Sequence, residues 1–134
     1  MANVLSDIAK LLDDAGVATP AVDLFAGTRP GAAPDDCLAI FEYQGPAAEE
    51  TFGAGDSPSV ARPNIQVAGR GKTYVAARDL TWAAYEALRV VVNAEVNGTM
   101  YQRIAPTSQP FGIGQDAKNL YLVVCNFAVW KDDE

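Results

Sequence analysis

The chain has 134 residues, 49% of them apolar, with a formal net charge of −7 and a sequence pI of about 4.4. This length suits one domain, 1–134, with its own core, and the composition is globular rather than disordered. The acidic balance argues against wrapping nucleic acid through phosphate contacts, and the lack of histidine removes the commonest general base, the commonest zinc ligand and every Ser-His or Cys-His arrangement.

Asn3 to Ala15 predicts a short helix. Val4, Ile8, Leu11 and Leu12 form its apolar side, and Gly16 is its stop. The opening MANVLSDIAKLLDDAG has no cleavable apolar core, so it does not read as a signal peptide. No apolar run is long enough for a membrane span, so no membrane partner is expected. Val22 to Ala26 reads as a short strand, Gly27 to Asp36 as a turn-rich connection, and Cys37 to Tyr43 as a central, nearly all-apolar strand. Cys37 and Cys125 both lie in apolar runs and read as reduced core residues of a protein made in a cytosol.

Gln44 to Arg62 lacks any convincing period and is rich in glycine, proline and acids. A structureless stretch this long in a compact domain points to function, so 44–62 reads as a long assembly loop. Its Phe52 is an apolar anchor for a partner pocket, flanked by Glu49 and Glu50. Next comes RPNIQVAGRGKTYVAARDLTWAAYEAL. Ile65 and Val67 share one strand face, while Gln66 and Arg70 point the other way. In the helix that follows, Tyr74, Ala77, Thr81, Ala84, Leu88 and Val91 line one side. The pattern carries that helix to Asn97-Gly98. Thr99 to Ala105 is then a strand, Pro106 to Gly114 a loop, and Leu120 to Trp130 a strand apolar on both faces. This order predicts an α+β fold: a mixed or mostly antiparallel sheet of about four strands, with a long helix and a short N-terminal helix packed on it.

Gly71-Lys72-Thr73 invites a phosphate-loop reading, but such a loop needs a glycine at the position of Gln66. The plainer reading is a turn in which Gly69 and Gly71 supply unusual backbone angles. No cofactor is therefore expected. Asn97-Gly98-Thr99 reads as an Asn-Gly turn joining helix to strand rather than a glycosylation site. Adjacent acids such as Asp13-Asp14 and Asp35-Asp36 lack the alternating spacing of a calcium loop. Arg62, Arg70, Lys72, Arg78, Arg89 and Arg103 gather in the central half, either as solvated charge or as a partner surface.

The order and spacing of three stretches carry a resemblance. They are VDLFAGTRPGAAPDDCLAIFEYQG, the Arg62–Leu88 segment, and NGTMYQRIAPTSQPFGIGQDAKNLYLVVCNFAVW. The last contains a Gly-x-x-Tyr strand, a Pro-Phe-x-x-Gly-x-Asp loop and a closing strand with Asn126-Phe127. Together they resemble the tailed-phage minor capsid or tail terminator proteins. The resemblance implies a structural, non-enzymatic virion protein made in the host cytoplasm. It implies a ring of this chain, typically a hexamer, that caps the head-proximal end of the tail tube. The implied partners are the tail tube protein and the head connector or stopper protein, with genomic DNA passing through the ring without specific binding. The residues nominated for subunit or tube contact are Glu49, Glu50, Phe52, Arg62, Arg70 and Lys72. A head-completion or stopper protein of the neck, or a small nucleotide-binding protein, are the alternative readings.

Overall fold

The computed structural model describes residues 3–43 and 60–132. Helix α1 (Val4–Asp14) starts at Asn3, whose side chain accepts the Leu5 N–H, and it ends in a left-handed turn at Gly16 (φ 74°). After it come β1 (Leu24–Ala26), β2 (Cys37–Tyr43), β3 (Val60–Ala61), β4 (Asn64–Gly71), α2 (Tyr74–Leu88), β5 (Val92–Val96), β6 (Thr99–Pro106), β7 (Phe111–Gln115) and β8 (Tyr121–Asp132).

The strands form one sheet in the order β1-β2-β4-β8-β6-β5, with β3 and β7 also paired to β8. Among these strands only β1 and β2 pair in parallel; the other strand pairs of the described residues are antiparallel. The twelve-residue β8 is the spine. On one side it pairs with β4 and then, in the same register, with β3. On the other side it pairs with β7 along its first half and β6 along its second.

These findings overturn the expected four-strand sheet with a long helix. The described residues form eight strands in a curled mixed sheet with two short helices of 11 and 15 residues. The helix stops at Leu88 because Val90, Val91 and Val92 make a β-branched run, and residues 92–96 pair with β6 instead. Asn97-Gly98, both at positive φ (51° and 82°), is thus a two-residue hairpin turn between strands rather than a helix-to-strand turn. Residues 111–114, expected inside a loop, form a strand with Gln115 because β8 offers them a free edge. Residues 60 and 61, expected as the end of the long loop, extend the line of β4.

The core lies between the helices and the sheet face that carries Leu38, Ile40, Ile65, Val67, Cys125, Phe127 and Val129, all fully buried. Ala77, Thr81, Ala84 and Leu88 of α2 face it. Contact is close where α2 crosses β4. A Cβ on Gly69 would lie 2.2 Å from Thr81 Oγ1 and 2.7 Å from the Ala77 carbonyl oxygen, and one on Gly71 would lie 2.7 Å from the Ala77 nitrogen. Neither glycine has a positive φ. Their purpose is close helix-to-strand approach, not the unusual backbone angles expected of them. Cys37 pairs with Arg70 and Cys125 with Val67 across β4, which puts the two cysteines on opposite sheet faces. Both are free and buried.

Candidate functional site

Chemistry-bearing side chains gather at the end of the sheet where β2 begins and β4 finishes. Arg70, at 6% exposure, donates from Nε to the Asp35 carbonyl (3.2 Å) and from Nη2 to the carbonyls of Pro34 (2.8 Å) and Ala33 (3.4 Å). Its Nη1 lies 3.6 Å from Asp116 Oδ2. Asp116 in turn accepts the Leu120 and Lys118 N–H groups. Its carboxyl is held below the ordinary range, first by the Leu120 N–H, then by that of Lys118 and the charges of Arg70 and Arg29. The Lys72 N–H donates to Asp36 Oδ1 (3.0 Å), and Lys72 Nζ lies 3.9 Å from Asp35 Oδ2. Thr73 caps α2 by accepting the Ala76 N–H (3.1 Å). The arginine fork thus fastens the 27–36 connection and the β7–β8 turn to the sheet.

At the other end of the sheet, the Arg62 guanidinium lies 5.0 Å over the Trp130 ring, and Arg103 is the register partner of Trp130. Gln66 Nε2 donates to Asn126 Oδ1 (3.0 Å) on the same sheet face.

Of the residues nominated from sequence, Arg62, Arg70 and Lys72 sit on one strand line but at opposite ends of it. Arg70 is engaged by its own chain, Lys72 is well exposed, and Arg62 lies half-buried on Trp130. Glu49, Glu50 and Phe52 lie outside the described residues, as does most of the 44–62 loop. Sequence reading missed an exposed apolar group: Phe111 and Ile113 of β7 with Tyr74 and Val75 at the start of α2. The signal was the unbroken apolar-and-glycine run FGIG, which carries no edge-protecting charge. Among the described residues, no group of three or more potential metal ligands comes together, and no helix is long and apolar enough to cross a membrane.

A family model described as bacteriophage tail terminator protein matches residues 11–132. The chain belongs to the tail terminator family. It is therefore a structural protein of the phage tail and a virion component. The fold of this tail terminator protein is similar to a chain in the virion of a native gene transfer agent particle. The TM-score is 0.66 at 11% identity, over 97% of this chain and 95% of that one. Among curated proteins, none matches the sequence.

Proposed function

We propose that this tail terminator protein closes the head-proximal end of the tail tube as a ring of identical subunits, a hexamer, and works as one domain over 1–134. Occupying the tube end removes the surface to which the next tube subunit would add. The outer face of the ring then receives the head connector or stopper protein. The family match over 122 of the 134 residues (11–132) is the observation that carries this reading.

Physical features support it. The compact sheet with two helices on it is a rigid block, and a head-to-tail contact between such blocks closes if its rotation closes. The net charge of −7 suits a lumen through which DNA slides without sticking. The mechanism needs no bond-making chemistry and no cofactor. Contact with the next subunit or the tube falls to Glu49, Glu50 and Phe52 of the assembly loop, to Arg62 just before β4 and to Lys72 just after it. Arg70 acts behind that surface by holding the 33–35 carbonyls in place.

Adding the purified chain to polymerising tube protein tests the reading. Growth should stop, with the chain at one tube end only. Unchanged tube growth, with the chain found instead on the portal side of isolated necks, would replace the terminator by another neck component.

A further inference from the structure

Two apolar surfaces have no partner among the described residues. The first is a groove of about 460 Å³ between α1 and β1, lined by Ala9, Leu24, Phe25 and Ala26 with Lys10 and Asp13 at its rim. The turn that forms its floor holds Ala21 at φ 66°, a left-handed conformation that alanine rarely adopts. The outer edge of β1 is partly occupied by that turn. Ala21 N–H donates to the Leu24 carbonyl, and Leu24 N–H to the Thr19 carbonyl, which leaves the Ala26 backbone at the mouth of the groove.

The second is the ridge made by β7. All five of its residues are exposed, and it pairs with β8 alone among the described residues. Phe111 is 42% and Ile113 55% exposed, and Tyr74 packs against Gly112 and continues the patch at 47%. An apolar strand edge without charge or proline between its ends is a template for another chain.

The groove and the ridge are complementary but cannot meet in one molecule. The order β1-β2-β4-β8-β7 puts four strand spacings, about 19 Å, between them, at opposite margins of the sheet. Charge is compatible with the same pairing. Lys118, just beyond β7, has an exposed side chain, and on the groove rim Lys10 is paired with Asp14 (3.0 Å) while Asp13 stands beside it. We propose that the groove between α1 and β1 receives the β7 ridge of a second copy of this chain, Phe111 and Ile113 entering the apolar floor and Lys118 facing Asp13. The contact is head-to-tail, since each copy offers a groove at one margin and a ridge at the other. A groove this short engages a few residues only, so the contact is weak until other contacts template it. The proposal rests on the terminator reading for where copies meet, and not for which surfaces touch.

The test is a variant carrying both A26C and I113C, cross-linked with a short bismaleimide in purified tails. Both positions are exposed, and the native cysteines are buried. A ladder of dimers and higher multiples is expected from the double variant, and only monomer from either single variant. A cross-link to the tube protein, a cross-link within one chain, or monomer alone in tails of normal uniform length would overturn the proposal while leaving the terminator reading intact. Absence of the chain from tails would contradict the terminator reading instead. Cross-linking the purified protein near millimolar concentration would then decide the contact by the same ladder. If the double variant fails to fold, I113D serves. Its melting temperature should be unchanged while its retention on tails falls at least tenfold, and full retention would overturn the proposal.

Discussion

The Asp7 carboxylate accepts a 2.5 Å hydrogen bond from the Tyr101 hydroxyl, ninety-four residues away in sequence, and a second of 2.8 Å from Asn97 Nδ2. Asp7 is 1% exposed and Tyr101 fully buried. An acid in the first helix thus fastens α1 to the β5–β6 hairpin. Burial, and then the facing carboxylate, push the Tyr101 phenol above its ordinary pKa, so it remains the donor across the physiological range. Tyr101→Phe should cost about 1.5–3 kcal/mol, the usual range for a hydrogen bond to a charged group. Urea unfolding measures this. A loss below a few tenths would mean that the carboxylate finds another donor.

Gly69 lies under α2 with no room for a methyl group. Gly69→Ala should destabilise the fold by about 1–3 kcal/mol through overpacking. Adding Thr81→Ala should recover only part of the loss. The Ala77 carbonyl stays 2.7 Å from the new Cβ, and the Thr81 hydroxyl bonds to the carbonyls of Ala77 and Val123 are gone. Full recovery would show that the side chain alone sets the approach.

Arg70→Lys keeps the charge but loses the fork that reaches three carbonyls and Asp116. We expect a loss of about 2 kcal/mol from those unmade bonds. Faster proteolysis should appear within 27–36. Unchanged cleavage there would show that the connection holds its place without Arg70.

Burial pushes the Cys125 thiol up to about 11. Its folded pKa lies above the unfolded value near 9, so the protonated form is favoured in the native state. This contribution is complete below about pH 9 and is lost as pH rises towards 11. Cys125→Ala should therefore flatten the fall in stability between pH 9 and 11, measured by urea unfolding. An identical pH profile in the variant would remove the thiol from the account. Labelling at neutral pH should find both thiols slow in the native protein and two equivalents after unfolding.

What was legible in the sequence follows from how locally each feature is determined. Residues 37–43 and 120–130 read as strands because they are dense in apolar residues, and Ala77, Thr81, Ala84 and Leu88 of the buried face of α2 follow from their spacing, whereas Tyr74, placed on that face, is exposed and Val91 lies beyond the helix. The fold as a whole was not legible. β5 contains Ala94 and Glu95, which continue a helical pattern, and only pairing with β6 makes it a strand. β7 contains Gly112 and Gly114 after a proline and reads as a loop until β8 is beside it. At the candidate site, the arginines could be grouped, but not sorted. That Arg70 turns inward to backbone carbonyls while Lys72 stays in solvent depends on where the 33–36 segment returns, a contact across more than thirty residues. Family membership was legible because it rests on the order of many weak stretches rather than on any one of them.

The most direct measurement of the central claim is the length distribution of tails made when this chain is deleted. Electron microscopy of lysates, with and without the chain supplied in trans, gives it. Deletion should give tails of uncontrolled length that fail to join heads, restored to one length by complementation. Tails of normal, uniform length in the deletion would contradict it.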